Sequence, residues 1–181
     1  NTIMSIIRKD SDQARRLLLQ LSNFFRTNLQ RKSDIVTLEE ELAHISAYLE
    51  IEKARFGERL SVNQEIDPAL LDLQIPIFTL QPLIENAIKH GIADLLDQGE
   101  IWVRAYRQGE FVIIEVEDNA GNYRHPIDTQ GLGMRLVDQR IKNVYGSEFG
   151  LTVEYDPQQK TLVQVKLPIE KELANDSCIN H

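Results

Sequence analysis

The sequence predicts an α/β sandwich: a mixed or antiparallel sheet of about five strands, covered by helices on one face and preceded by a helical segment. Three observations predict it. Apolar residues recur at helical spacing through residues 2–56, strand-like alternation of period two begins after Gly57, and helical stretches at 80–91 and 131–145 interrupt the strands.

The 181 residues, 42% of them hydrophobic, can bury a proper core and form one domain with an attachment, or two small domains. No apolar run reaches the ~18–20 residues that span a bilayer, and no basic-then-apolar leader is present. The single Cys178 excludes an internal disulfide. The net charge of −8 is unevenly placed, with nine Lys/Arg against eight Asp/Glu in residues 1–56 and eleven against twenty in 57–181. So acidic a second part argues against a nucleic-acid surface. A phosphate-bearing ligand would be met by backbone N–H groups and a metal ion instead.

In order, Ile3, Ile7, Ala14, Leu17, Leu18, Leu21, Phe24, Phe25 and Leu29 carry the first helical pattern, broken or recapped at Asp10-Ser11-Asp12. Thr37-Leu38-Glu39-Glu40 has the capping-box form. Behind it Leu38, Leu42, Ile45, Leu49 and Phe56 make a heptad stripe, which suits either an intramolecular helix pair or an oligomer interface. Leu60–Ile66 alternates as a strand and Asp67-Pro68 ends it. Residues 80–91 form a helix with Thr79 as N-cap, Pro82 in the first turn and Gly91 as its stop. Glu100–Arg107 and Phe111–Glu117 form a hairpin about Gln108-Gly109, and Leu151–Tyr155 and Thr161–Leu167 a second one about Asp156-Pro157. Between them a Gly/Asn/Pro-rich loop leads to a helix opening at Gly131 and ending near Tyr145. From Glu170 the chain is polar and is expected to be disordered.

Three elements carry chemistry. The helix Leu80-Gln81-Pro82-Leu83-Ile84-Glu85-Asn86-Ala87-Ile88-Lys89-His90-Gly91 sets Glu85, Asn86, Lys89 and His90 on one ridge of an otherwise apolar helix. Alone it would pass for a surface helix with a Glu–Lys pair. Asp118 ends a strand, as turn-forming carboxylates often do; at a pocket floor it could accept a hydrogen bond from an exocyclic amine such as adenine's. Gly131 and Gly133 at a helix start suit a tight turn or a close approach of backbone to phosphate. An amide such as that of Asn86 suits a satisfied core position or Mg²⁺, which keeps most of its waters.

The order and spacing of these elements resemble the Bergerat-type ATP-binding fold shared by DNA gyrase, MutL and sensor histidine kinases. Within that group the chain is most similar to the LytS/YehU-type histidine kinases, and the resemblance runs through Leu167. It is carried by Leu38-x-x-Glu41-Leu42, Tyr48-Leu49-x-Ile51-Glu52-x-x-Arg55-Phe56, the 80–91 helix, Glu117-Asp118-Asn119 and Gly131-Leu132-Gly133-Met134. The resemblance implies that Asn86 binds Mg²⁺, that Lys89 and His90 reach the phosphates, and that Asp118 reads adenine. It also implies that Asn119, Gly121, Gly131, Leu132 and Gly133 complete the ATP site, with the 120–130 loop as a lid. Glu85 would assist proton removal from an incoming imidazole.

In gyrase and MutL a general-base Glu lies four residues before the metal-binding Asn; here that position is Pro82, so phosphoryl transfer to histidine is favoured over hydrolysis. The pattern departs from the family where Ala120 and Asn122 replace glycines. None of the four histidines matches the acceptor motif, and the chain starts at Asn1-Thr2-Ile3, where such a motif ends. The expectation is therefore a truncated helical dimerisation region (1–56), a catalytic domain (57–169) and a tail (170–181). The acceptor histidine, and any membrane anchor, would lie upstream of this cytoplasmic portion of an inner-membrane protein. The partners implied are a response regulator and a second copy of the chain. Two other readings stand beside it: a degenerate nucleotide module that serves to dimerise and dock, and a gyrase-like ATPase.

Overall fold

The structure, a computed structural model, describes residues 34–121, 132–157 and 159–169, together with residues 11, 12, 15, 18, 19, 22 and 26, all seven of which are helical. The rest of the first predicted helical segment, the greater part of the loop before Leu132, Gly131, Cys178 and the tail lie outside the described residues.

The sheet is mixed and has five strands, as predicted. Strands β2 (Leu60–Ile66), β4 (Gly99–Gln108), β5 (Phe111–Asp118), β6 (Gly150–Asp156) and β7 (Lys160–Pro168) lie in the order β2-β4-β5-β7-β6. Only the β2–β4 pairing is parallel. The chain between its two strands crosses over through the 81–91 helix, as a parallel pair requires. Two short strands, β1 (Ile35–Thr37) and β3 (Gln74–Pro76), pair antiparallel outside this sheet.

Three helices supply the covering layer: α1 (Leu38–Phe56), α2 (Gln81–Asn86) and α3 (Leu132–Tyr145). Inward residues come in rows across β4, β5 and β7. Val103, Val116 and Val163 form one row and Ala105, Ile114 and Val165 the next, all buried in one cluster with Leu83, Ile84 and Ile88 and with Met134, Val137 and Ile141. This period-two alternation was legible in the sequence.

Helix α1 starts as predicted. Thr37 Oγ1 accepts the Glu40 N–H at 3.1 Å, and Glu40 Oε2 accepts the Thr37 N–H at 2.9 Å. Its heptad stripe is used within the chain: Leu38, Leu42, Ile45 and Leu49 are buried in the common core, and α1 contacts α2 and β2.

The start and end of the second helix differ from expectation. Thr79 is not its N-cap; the Thr79 hydroxyl is buried and donates to the Pro76 carbonyl at 2.5 Å. The backbone N–H groups there are taken by Glu41 of α1, whose carboxylate is fully buried and accepts from Phe78 at 2.9 Å and Leu80 at 3.1 Å. Phe78 itself holds a left-handed φ of 59°, unusual for a bulky side chain. At the other end Gly91 does not stop the helix. After Asn86 the backbone widens into a π turn, Ala87–Gly91, and then tightens into a 3₁₀ turn, Ile92–Asp94. Among the described residues no helix is long and apolar enough to cross a membrane.

Candidate nucleotide site

The floor of the candidate site is Asp118, the last residue of β5. In register it lies between Ile101 of β4 and Thr161 of β7, on the face that looks towards the helices. It is 3% exposed. Burial pushes its carboxyl up to about 6, against hydrogen bonds from the Ala120 and Gly121 N–H groups and the Thr161 hydroxyl, which favour the charged form. The Ala120 bond is 3.0 Å long. Gly121 takes a left-handed φ of 56°, so the turn after the carboxylate finds its permissive residue there. Ala120, the departure from the family pattern, is buried beside it without displacing that bond.

The π turn comes down directly onto this carboxylate. A Cβ built at Gly91 would stand 2.8 Å from Asp118 Cγ and 2.9 Å from its Oδ1, closer than real Cβ atoms approach. Gly91 is thus the residue that lets the helix and the carboxylate meet. π turns concentrate at functional positions because the widened backbone re-aims side chains. Here the widening falls between Asn86 and Gly91, with Lys89 and His90 exposed on it and Asn86 and Glu85 half-buried before it. Replacing Gly91 with alanine is expected to cost about 1–3 kcal/mol of stability through overpacking. It should weaken nucleotide binding with it, since the Asp118 carboxylate must move. Urea denaturation alongside nucleotide titration checks both; an unchanged variant would mean that the contact is relieved at no cost.

The Glu85–Lys89 pair expected from four-residue spacing does not form. Glu85 instead accepts from the Gln81 side-chain amide at 2.6 Å, and the π turn carries Lys89 off the ideal helical ridge. Asn119 engages its side-chain amide with backbone: its Oδ1 accepts the Glu100 N–H at 2.9 Å and its Nδ2 donates to Gln98 at 3.0 Å. That ties the end of β5 to the start of β4. Leu132 opens α3 with its side chain two-thirds exposed. Gly133 lies against α2, where an added Cβ would meet Pro82 Cβ at 3.3 Å. The first turns of α2 and α3 therefore touch through Pro82 and Gly133. The Arg140 guanidinium on α3 donates to the Ile77 carbonyl just before α2, and the Tyr145 hydroxyl donates to the Gln74 carbonyl at 2.8 Å. These bonds fix α3 to the segment that launches α2. Gly131 is outside the described residues.

Three contributors were missed in the sequence. Thr161 hydrogen-bonds Asp118 from a neighbouring strand, a contact visible only once the β5–β7 register is known. Glu41 and Gln81 stood inside quoted motifs without a role, and the partners of Glu41, Phe78 and Leu80, lie far away in sequence, where no local signal points.

Comparison with known proteins fits this arrangement. The family model described as histidine kinase matches residues 1–60. Over 168 residues the chain is 49% identical to the sensor histidine kinase BtsS of Escherichia coli (strain K12), covering 93% of this chain and 30% of that protein. This chain belongs to the sensor histidine kinase family. A sensor protein LytS from Staphylococcus saprophyticus is 33% identical over 195 residues, covering 98% of this chain and 33% of its own. This chain thus spans about a third of the length of these curated relatives. Among solved structures, the histidine kinase domain of an Erythrobacter litoralis blue-light activated histidine kinase superposes with a TM-score of 0.58 at 21% identity, over 92% of this chain and 85% of that one. The Acinetobacter baumannii histidine kinase AdeS gives 0.59 at 13% identity, over 93% and 84%. At such identities the likeness is one of fold. The α/β sandwich with its five-stranded mixed sheet is therefore that of histidine kinase domains.

Proposed function

We propose that this chain is the ATP-binding catalytic part of a two-component sensor kinase. It transfers the γ-phosphoryl group of ATP to a histidine upstream of Asn1, from which the group passes to an aspartate of a response regulator. The observation that carries this reading is the Asp118 carboxylate, buried at the end of β5 and covered by the Cβ-less Gly91 of the helix that bears Asn86. A buried carboxylate beneath a helix turn is suited to one further polar contact, and the exocyclic amine of adenine supplies the donor that an acceptor-only group needs.

The remaining roles follow from position. The Asn86 side-chain oxygen, at the head of the π turn, is a hard donor of the kind Mg²⁺ takes. No group of three or more His, Cys, Asp or Glu able to hold a metal occurs among the described residues, so the ion would be shared with the triphosphate and would neutralise its charge. Lys89, exposed on the π turn, adds positive charge on that side, the His90 ring beside it offers a further polar contact, and the backbone of Leu132 and Gly133 at the start of α3, with Gly131 before them in sequence, would meet the phosphates. In the transfer step an imidazole nitrogen of the acceptor forms the N–P bond with its lone pair. The bond from γ-phosphorus to the β–γ bridging oxygen breaks, and ADP leaves with that electron pair. The proton released from the other ring nitrogen goes to Glu85.

Pro82 argues against hydrolysis, since it stands where a gyrase-like enzyme carries its base and packs against Gly133 instead. In the whole protein two copies pair, with any anchor to the membrane outside this chain. A chain extended upstream through the acceptor histidine should autophosphorylate, and Asn86→Ala should abolish the label. Label persisting in that variant would refute the metal role. Steady phosphate release by the present chain would favour the ATPase.

A further inference from the structure

Helix α1 does more than fill the core beneath α2. Glu41, His44 and Tyr48, spaced three and four apart, share the face turned towards α2. The Glu41 carboxylate holds the N–H groups of Phe78 and Leu80, as described. One turn on, the His44 ring is 6% exposed, edge-on to Phe78, and its Nε2 lies 3.0 Å from Gln81 Oε1. Gln81 Nε2 in turn donates to Glu85 Oε1 at 2.6 Å. A further turn along, the Tyr48 hydroxyl is pushed above its ordinary range by burial and by the carboxylates of Glu52 and Glu85, so Glu85 faces α1 and not only solvent.

The chain from His44 to Glu85 has a defined direction. An ionised carboxylate only accepts, so Glu85 must receive an N–H of the Gln81 amide. That turns the amide oxygen towards His44, which must then present Nε2–H. The reverse orientation would set the Gln81 oxygen against the Glu85 oxygen. A single arrangement of three side chains therefore links a buried ring on α1 to the carboxylate on α2, and each member fixes the next.

We propose that His44 is a positioning residue for Glu85, acting through the Gln81 amide, so that the placement of α1 sets the orientation of the carboxylate that meets the acceptor imidazole. The catalytic part of this inference rests on the role given to Glu85 above; the linkage itself does not. Because the Glu41 clamp holds α2 to the same face of α1, displacement of α1 would carry both the helix and the Glu85 side chain with it.

Two measurements test it. In the present chain, ¹⁵N spectra of the His44 ring should report the Nε2–H tautomer alone, and Glu85→Gln should relax it to a mixture, because a neutral amide can pair with Gln81 either way round. A tautomer indifferent to Glu85→Gln overturns the linkage, whatever the protein catalyses. In the chain extended upstream, His44→Phe keeps an aromatic ring and loses the donor. It should slow single-turnover transfer about 10- to 100-fold with the KM for ATP unchanged. His44→Gln, which can present an N–H near the same place, should restore most of the rate, and His44→Phe should cost nothing further in a Glu85→Gln background. A normal rate in His44→Phe, an equal loss in both backgrounds, or a change confined to KM would overturn the positioning role. Failure of the unaltered protein to bind Mg-ATP would instead strike at the kinase reading, and the tautomer result would still stand or fall by itself.

Discussion

Glu41→Ala will destabilise the fold by about 2–6 kcal/mol, the sum expected from leaving one buried and one partly buried N–H group without an acceptor at about 1–3 kcal/mol each. The carboxylate is fully buried, and both of its oxygens are in use, one on Phe78 and one on Leu80. Phe78 sits at a φ of 59°, a conformation that costs an ordinary L-residue roughly 1–2 kcal/mol and persists only while its surroundings hold it. Removing the clamp therefore releases the turn as well as the bonds. Since small domains are stable by only about 5–15 kcal/mol, the variant will be near the limit of folding. Glu41→Gln should fall between, having one carbonyl oxygen and an amide that confronts a donor. Urea denaturation followed by circular dichroism measures all three. A Glu41→Ala midpoint within experimental scatter of the parent would show that solvent or another acceptor replaces the carboxylate at no cost.

Asp118→Asn will separate binding from stability. Loss of a charge-assisted bond to adenine, worth about 1.5–3 kcal/mol, lowers Mg-ATP affinity about 10- to 100-fold. Stability moves the other way. The carboxyl titrates near 6 in the fold against an ordinary 3.8, so the native state binds this proton more tightly than the unfolded chain does. The contribution of this group is fully present below about pH 4 and is lost as pH rises through about 6. Asparagine stays neutral throughout. The variant should match the parent near pH 4 and become more stable than it by up to about 3 kcal/mol above pH 6. Over the same window the affinity of the parent for nucleotide should rise, because only the ionised carboxylate accepts freely. Urea midpoints from pH 4 to 7.5 check the sign; a difference that shrinks with rising pH would contradict the burial-driven shift.

Much of this architecture was legible in the chain. Alternation in Phe111–Glu117 and the Gln108-Gly109 turn gave β5 and its hairpin with β4, and the capping box at Thr37 gave the start of α1 to the residue. These are local signals, written in side-chain period and turn chemistry. What the sequence withheld is non-local. Thr79 has the chemistry of a cap, yet Glu41, far away in sequence, reaches the backbone first and leaves the threonine to Pro76. Gly91 reads as a stop, but its missing Cβ serves an approach to Asp118, which only the folded sheet brings beneath it. The four-residue spacing of Glu85 and Lys89 predicts a pair on an ideal helix, and the π turn removes that ideal geometry. At the candidate site, residue types and order were readable; the partners that orient them, Thr161 for Asp118 and Gln81 for Glu85, were not.

The central claim is that Asp118 and the Asn86 helix form a nucleotide site, and titration of the folded chain with Mg-ATP in a calorimeter near pH 7.5 tests it most directly. Saturable binding with a Kd tighter than about a millimolar, equivalent to about −4 kcal/mol, is the predicted result. No detectable heat from a chain shown to be folded, with Mg-ATP or with a non-hydrolysable analogue, would contradict it.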